Sequence, residues 1–219
     1  QVLGQSEYVG FQYYENKGQI VDQDGNPNSD VKYLFQGAGL NFQLRSNGFS
    51  YDVFKQVADE GAGAPPKDEN ASLSVRNELV QDVKVQVHRV DVSFLGSSSE
   101  MTIEGVHPSR DVDHYYTAGC LPEGVTDVHR YQKVLYSNVY PGIDFLFTTV
   151  AASDNTPYTK YDIIVRPGGD LRDVRLRYEG AEALSLREDG TLEIRTSVAT
   201  IEEAIPICYT LDSDGRREP

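Results

Sequence analysis

The most informative segment of this chain is Val134-Leu-Tyr-Ser-Asn-Val-Tyr-Pro-Gly-Ile-Asp-Phe-Leu-Phe147, and a similar pattern occurs in Lys160-Tyr-Asp-Ile-Ile-Val-Arg-Pro-Gly-Gly-Asp170. Both segments place apolar residues at alternate positions beside a Pro-Gly corner, and both contain a Tyr and an Asp. Alternation indicates a half-buried strand, and Pro-Gly marks a tight turn. The two segments therefore predict strands punctuated by turns and not an active site.

The same alternation recurs along most of the chain. The clearest sets are Val31, Tyr33, Phe35; Leu40, Phe42, Leu44; Phe49, Tyr51, Val53; Tyr161, Ile163, Val165; Val174, Leu176, Tyr178; and Ile201, Glu203, Ile205. Because successive side chains of a strand point to opposite faces, each set predicts one buried face. In Val83–Phe94 the apolar positions change from odd to even, which predicts a β-bulge or a bend near His88.

Two hairpins are predicted from turn dipeptides that supply positive φ. Asn47-Gly48 predicts pairing of Leu40–Leu44 with Phe49–Val53. Asp189-Gly190 predicts pairing of Leu184–Leu186 with Leu192–Ile194. Roughly a dozen strands with such connections predict an all-β fold, a two-layer antiparallel β-sandwich with little helix.

We expect residues 1–219 to form a single β-sandwich domain that is a fragment of a larger multidomain protein. The segment 60–72 is small, polar and rich in Pro and Gly, which is typical of an exposed loop. The two cysteines, Cys120 and Cys208, have no Cys-x-x-Cys spacing, so zinc and redox motifs are excluded. A disulfide and two buried free thiols remain as alternatives for this pair.

The charge is strongly negative, with 34 acidic against 20 basic side chains and a formal net charge of −14. Such a charge repels phosphates and anionic lipid headgroups, so we expect no nucleic-acid partner. No apolar run is long enough for a membrane span, and we expect no direct membrane insertion. The chain begins at Gln1 without an initiator Met, which favours export through a cleaved leader.

One loop has the composition of a calcium site. Its oxygen-bearing side chains are Asp22, Asp24, Asn26, Asn28 and Asp30. Calcium takes six to eight oxygen ligands, which a loop with such residues at alternate positions can supply. However, the glycine comes too early and no Glu closes the loop at the twelfth position. We expect an Asx-rich turn and no cofactor, with bound calcium as the alternative.

The tyrosines offer a second ligand hypothesis, because exposed aromatic rows stack on sugars. The candidates are Tyr13, Tyr14, Tyr115 and Tyr116, and they predict a carbohydrate-binding module as the alternative function. Core packing is the competing interpretation, since several tyrosines occupy inward strand positions.

A catalytic role has little support in the sequence. The four histidines show no His-Glu-x-x-His spacing, and no Gly-x-Ser-x-Gly elbow is present. Asp111, Asp113 and His114 are the remaining acid/base cluster, and they define a second alternative, a hydrolase-related domain. Glu202 and Glu203 are adjacent in a strand and face opposite ways, so they cannot flank one glycosidic bond. We expect no enzyme.

The polar residues of the opening segments are interpreted as structural. They are Tyr140, Pro141, Gly142, Asp144, Tyr161, Asp162, Pro167 and Gly168, which we expect to be strand residues and turn braces. Asp144 and Asp162 are expected to be buried and hydrogen-bonded to turn amides.

The chain resembles a domain found near the N-terminus of large exported bacterial surface proteins, which carry seven-bladed β-propeller repeats or gliding-motility-type C-terminal sorting domains. The matching segments are Glu15-Asn-Lys-Gly-Gln19, His88–Gly96, Tyr131–Asp144, Lys160–Asp170, Val174–Gly180, Asp189–Ile194 and Glu203–Tyr209. The resemblance implies an all-β fold, an extracellular or cell-surface location and a non-catalytic structural or adhesive role. It also implies partners among other domains of the same polypeptide and a cell-surface glycan or protein.

Overall fold

The computed structural model describes residues 12–57, 84–116, 123–153, 155–211 and 217–218. Among these residues the regular structure consists of strands and one 3-10 turn, at Leu171–Asp173. The strands are β1 Tyr13–Glu15, β2 Val31–Gly37, β3 Leu40–Arg45, β4 Gly48–Val57, β5 Lys84–Phe94, β6 Thr102–Tyr115, β7 Val125–Tyr140, β8 Ile143–Ala151, β9 Pro157–Val165, β10 Leu176–Glu179, β11 Ala183–Leu186, β12 Leu192–Arg195, β13 Thr200–Glu203, β14 Thr210–Leu211 and β15 Arg217–Glu218. Within these residues no helix has the length and apolar character needed to cross a membrane.

Ten strands form one antiparallel sheet in the order β10-β5-β4-β3-β2-β1-β7-β8-β9, and β6 also pairs with β7. Three strands pair with β7. Because a strand has only two edges, two of the three must pair with the same edge of β7. β6 pairs along most of β7, including Tyr131 and Tyr136. β1 pairs with Tyr131 and β8 pairs with Tyr136, so both lie opposite β6. The sheet therefore divides at β7 into two arms, one of β1–β5 and β10 and the other of β8 and β9.

The structure confirms a nearly all-β antiparallel fold. The predicted two-layer sandwich is not confirmed, because the main sheet curls into a half-barrel that is continuous through β7. The local patterns could not reveal this difference, since alternation reports which face of a strand is buried and not which strands share an edge.

The core lies between the two arms and is largely aromatic. Phe94 of β5 lies 4.9 Å from Phe145 of β8, measured between ring centroids. Phe49 of β4 contacts both Phe147 of β8 and Tyr161 of β9, at 5.4 Å and 5.7 Å. These tilted and edge-on pairs are the arrangements that aromatic quadrupoles favour. Contacts between these rings therefore hold the two arms of the curled sheet together.

Both predicted hairpins are confirmed. β3 and β4 pair from Leu40 opposite Val53 to Arg45 opposite Gly48, and β11 and β12 pair with Leu186 opposite Leu192. Gly48 has a φ of +132°, and a Cβ there would lie 2.0 Å from the Val92 carbonyl oxygen. This turn consequently requires glycine for its conformation and for its contact with β5.

The predicted irregularity near His88 is wrong. β4 and β5 pair without a register shift from Gly48 opposite Ser93 to Val57 opposite Lys84. Val85 and Val87 are instead exposed, at 49% and 58%. The odd-numbered valines are thus surface residues, and the change of pattern marks the point where the core ends.

The two Pro-Gly corners contact each other. The Arg166 amide donates to the Gly142 carbonyl at 2.8 Å, and the Gly169 amide donates to the Arg166 carbonyl at 2.9 Å. Gly142 has a φ of +72° and Gly168 a φ of +92°. A Cβ on Gly142 would lie 2.9 Å from the Gly169 amide nitrogen, whereas a Cβ on Gly168 would meet nothing within 4 Å. The corners therefore join the β7–β8 turn to the end of β9.

A smaller sheet of β11, β12 and β13 covers one end of the core. Ile194 of β12 is fully buried in the main core, and Leu192 and Ile201 pack against the same core. Since Ile194 is paired with Ile201, these side chains share the inner face of the small sheet. The small sheet is thus held by its apolar face.

The close contact at Gly142 predicts that two glycine substitutions lower the free energy of unfolding by different amounts. Gly168→Ala should lower the free energy of unfolding by about 1 kcal/mol, because only its positive φ is strained. Gly142→Ala should lower it by about 2–3 kcal/mol, because the new Cβ also meets Gly169. Urea denaturation of both variants measures the difference. Equal costs would show that the contact between the corners contributes nothing.

Candidate functional site

Three tyrosine hydroxyls converge on one carboxylate, and we name Tyr51, Tyr161, Tyr178 and Glu203 the tyrosine–glutamate cluster. The Tyr51 hydroxyl donates to Glu203 Oε1 at 2.8 Å. The Tyr161 and Tyr178 hydroxyls both donate to Glu203 Oε2 at 2.9 Å. The carboxylate therefore accepts three charge-assisted hydrogen bonds, the strong class of protein hydrogen bond.

The four members come from four strands and two sheets. Tyr51, Tyr161 and Tyr178 lie on β4, β9 and β10, and Glu203 ends β13. Glu203 follows Ile201 by two residues, so strand alternation places both on the inner face of the small sheet. The cluster thus ties the small sheet to both arms of the half-barrel.

The cluster lies in a desolvated environment. Burial, with the nearby Glu203 carboxylate as a lesser cause, raises the pKa of Tyr51 well above its ordinary value. The same two causes raise the pKa of Tyr161 and of Tyr178. All three hydroxyls are consequently protonated donors at physiological pH, and they do not act as bases.

The sequence alone did not reveal this cluster. The sequence contained no indication that Glu202 and Glu203 form a catalytic pair. The structure agrees, since Glu202 forms an ion pair with Arg187 on the outer face of the small sheet. The sequence feature that could have indicated the cluster is the acidic residue Glu203, which shares the alternation of Ile201 and Ile205. A charge at such a position needs buried donors, and tyrosines at inward positions of other strands can supply them.

Two other buried tyrosines anchor their hydroxyls on backbone groups. The Tyr136 hydroxyl donates to the Arg45 carbonyl at 2.8 Å, which fixes the β3–β4 hairpin. The Tyr140 hydroxyl donates to the Arg175 carbonyl at 2.9 Å and accepts from the Arg175 amide at 3.2 Å. The Tyr140 side chain therefore joins the β7–β8 corner to the chain that enters β10.

Asp144 follows the Pro141-Gly142 corner by two residues and is 3% exposed. Its Oδ1 accepts from the Asn138 amide at 2.7 Å, and its Oδ2 accepts from Arg166 Nε at 2.7 Å. Asn138 has a φ of +56°, so this hydrogen bond supports a left-handed residue. Asp162 differs from expectation: it is partly exposed and its Oδ2 lies 3.2 Å from Lys160 Nζ.

The predicted calcium loop is organised by its own backbone. Asp22 Oδ1 accepts from the amides of Asp24 and Asn26, each at 2.9 Å, and the hydrogen bond from Asn26 is the main cause that lowers the Asp22 pKa. The Asn28 carbonyl accepts from a side-chain amide, and Asp30 Oδ2 lies 3.8 Å from an arginine of β3. Among the described residues no three His, Cys, Asp or Glu side chains are grouped to hold a metal. The structure therefore favours the Asx-rich turn.

The four candidate sugar-binding tyrosines are not together. Tyr13 is fully buried and its hydroxyl contacts Thr159, so it has no exposed ring face and is a core residue. Tyr116 is 72% exposed, with its ring against Gly124. Tyr14 and Tyr115 are half-buried, and burial is the main cause that raises the pKa of Tyr115, with Asp113 as a lesser cause. Inward and outward positions alternate at Tyr13 and Tyr14, which explains why only one can meet a ligand.

The proposed acid/base cluster is divided among separate contacts. His114 Nδ1 accepts from the Asp127 amide at 3.1 Å. Asp113 Oδ2 lies 3.3 Å from Arg130 Nε, and the Asp111 carbonyl accepts from the Ser109 hydroxyl. His114 and Asp113 thus bind different partners on β7.

An open groove of about 430 Å³ lies beside β1, and its lining residues are Glu15, Asn16, Lys32, Tyr33, Ser46, Met101 and Ile103. Glu15 Oε1 accepts from the His129 amide at 2.7 Å. Asn16 Nδ2 donates to the Asn28 and Val31 carbonyls, each at 2.8 Å. The Asn16 bonds hold the β1–β2 connection and the Glu15 bond joins β1 to β7, so both residues of the Glu15–Gln19 motif have structural contacts.

Some predictions fall outside the described residues, namely the loop 60–72 and Cys120. Cys208 is a free, exposed thiol, whereas the alternatives expected for it were a disulfide or a buried free thiol.

Residues 13–219 match the model of one protein family, whose description is "Domain of unknown function (DUF7948)". No curated protein and no solved structure matches this chain.

The tyrosine–glutamate cluster predicts a large cost for removing its carboxylate. Glu203→Ala leaves three hydroxyls without their acceptor and should lower the free energy of unfolding by about 2–5 kcal/mol. Glu202→Ala is the matched control, with an expected cost below about 1 kcal/mol because its ion pair with Arg187 is exposed. Chemical denaturation measures both values. Similar costs for the two variants would contradict the structural role of Glu203.

The buried tyrosines also predict alkaline unfolding. Their pKa values are raised in the folded state, to about 12 for Tyr33, whereas tyrosines of the unfolded chain ionise near pH 10. The stabilisation is therefore fully present below about pH 10 and declines as the pH rises above it. Phenolate absorbance at 295 nm and circular dichroism, followed together from pH 8 to pH 12, test this. Complete ionisation of all tyrosines in an intact fold would contradict the prediction.

Proposed function

We propose that this chain, which belongs to the family described as "Domain of unknown function (DUF7948)", is a non-catalytic structural or adhesive module of an exported bacterial cell-surface or secreted protein. Its partners are other domains of the same polypeptide and a cell-surface glycan or protein. The context is that of surface proteins with propeller repeats or C-terminal sorting domains, to which the sequence has a resemblance.

One observation carries the non-catalytic part of the proposal: the carboxylates of Glu203 and Asp144 are fully hydrogen-bonded within the protein. Both oxygens of Glu203 accept from tyrosines, and both oxygens of Asp144 accept from Asn138 and Arg166. Groups held in this way stabilise the fold, because breaking their hydrogen bonds would leave buried polar atoms unpaired.

The histidine of the matching segment His88–Gly96 supports the same interpretation. His88 Nδ1 accepts from the Ser197 amide at 3.1 Å, which fixes the neutral tautomer with the proton on Nε2. Nε2 then donates to the Gly180 carbonyl at 2.8 Å. Both ring nitrogens of His88 therefore connect β5 to the segments around β11 and β12.

The hydrolase-related alternative requires Asp113 and His114 to act on one substrate. Asp113 forms an ion pair with Arg130, and His114 Nδ1 accepts a hydrogen bond from the Asp127 amide. Neither pair leaves a nucleophile beside a base, which is the geometry that such chemistry needs. The structural role is the better-supported proposal.

A turnover assay and a surface assay test the proposal together. The protein and its Asp113→Asn and His114→Gln variants should show no release of product from a panel of glycans and peptides. In the native host, protease treatment of intact cells should remove a tag on the full-length protein, while a cytoplasmic marker stays intact. Turnover that disappears in either variant would overturn the non-catalytic role, and a protected tag would overturn the surface location.

A further inference from the structure

Strand β9, Pro157–Val165, lies at the end of the main sheet and has one open edge. It pairs with β8 along its whole length, and none of the other described strands pairs with it. Its inward side chains Tyr161 and Ile163 are half-buried, whereas Phe147 and Phe145, which lie opposite them on β8, are fully buried. An open edge exposes a row of backbone donors and acceptors with which another strand can pair.

One hydrogen bond shows which backbone groups of β9 face the open edge. The Arg166 amide donates to the Gly142 carbonyl at 2.8 Å, and the β8–β9 register continues from this point without a shift. In an antiparallel pair, residues that bond to the neighbouring strand alternate with residues whose backbone groups point away from it. The even-numbered residues of β9 therefore bond to β8, and the amides and carbonyls of Thr159, Tyr161 and Ile163 point to the open edge.

The outward side chains of β9 form a self-complementary row. They alternate with the inward residues, and they are Tyr158, Lys160, Asp162 and Ile164. Lys160 and Asp162 lie on either side of Tyr161, and the exposed Tyr158 and Ile164 lie next beyond them. When the strand is turned end for end about Tyr161, the lysine falls at the position of the aspartate and the outer tyrosine at the position of the isoleucine. The strand therefore complements a second strand of the same sequence.

We propose that β9 pairs antiparallel with β9 of a second copy of this chain, about a twofold axis at Tyr161. Thr159 then lies opposite Ile163 of the second copy, and their backbone groups form the hydrogen bonds of an antiparallel ladder. Lys160 lies opposite Asp162 of the second copy, at a position without such bonds, where side chains are closest. Opposite charges at facing positions stabilise a strand pair. Because both copies use the same edge, the pairing closes on itself and yields a dimer, not a filament.

Charge selects both this register and this partner. An axis one residue earlier would place Lys160 opposite Lys160, and an axis one residue later would place Asp162 opposite Asp162. Like charges that face each other destabilise a strand pair. A different protein would need an acid and a base at the same spacing, which a second copy always has.

Two further terms set the strength of the dimer. The net charge of −14 on each copy opposes association, and salt screens this repulsion. One pair of short strands is small for a protein interface, so we expect a weak dimer.

Sedimentation equilibrium of the whole chain, from about 5 to 500 µM in about 0.15 M salt, tests the proposal. The mean mass should rise with concentration from that of the monomer towards that of the dimer. Lys160→Glu and Asp162→Lys should each weaken dimerisation by about tenfold or more, because each places like charges opposite each other. Lys55→Glu is the matched control, since it makes the same change of charge as Lys160→Glu at an exposed position of β4.

A mixture of the two single variants tests the register itself. One copy then carries two acids and the other two bases, so opposite charges face each other at both positions. The equimolar mixture should form a heterodimer at least as tightly as the unaltered chain forms its dimer, although each variant alone dimerises poorly.

Hydrogen exchange on the unaltered chain is a measurement that needs no variant, and circular dichroism verifies that the variants are folded. The amides of Thr159, Tyr161 and Ile163 should gain protection as the concentration rises, whereas those of Lys160 and Asp162, which bond to β8, should not change. A monomer at every concentration would overturn the proposal. So would undiminished dimerisation of either single variant, no association in the mixture, or new protection confined to other strands.

Discussion

The structure depends on one constraint, which is that a tyrosine buried with its ring must still find a partner for its hydroxyl. Tyr51, Tyr161 and Tyr178 meet this requirement with a single carboxylate, Glu203, which lies on a different sheet. Tyr136 and Tyr140 meet it with backbone carbonyls of distant turns. Each ring adds apolar area to the core, and each hydroxyl then specifies which element lies next to it. Packing of the rings thus holds the two arms of the half-barrel together, and the hydroxyl hydrogen bonds fix which elements lie next to each other.

The same constraint bears on function. Side chains that resemble catalytic groups, such as Glu203 and Asp144, are those whose loss would leave buried donors unpaired. Acids and tyrosines of this kind therefore stabilise the fold through hydrogen bonds within the protein.

Local features of the fold were predictable to different degrees. The hairpins at Asn47-Gly48 and Asp189-Gly190 followed from turn chemistry, because their positive φ is a property of a few adjacent residues. The bulge expected near His88 was wrong, since exposed Val85 and Val87 imitate an inward face. The sandwich was expected from the number of strands and their hairpin connections, whereas the half-barrel arises because β1 and β8 share one edge of β7. Of the candidate sites, the Asx-rich turn at Asp22 followed from composition, but the cluster at Glu203 joins residues up to 152 positions apart.

Most strands and turns, the antiparallel all-β class and the family of residues 13–219 can be read from the amino-acid sequence. These features depend on spacing along the chain, namely a period of two and glycines at fixed positions. Three further features became visible in the three-dimensional fold: Tyr13 is fully buried while Tyr14 is half-buried, Glu203 is a structural acceptor, and the two Pro-Gly corners touch. Hydrogen-bond partners and burial depend on strands that meet in space, and strand order leaves no local trace in the sequence.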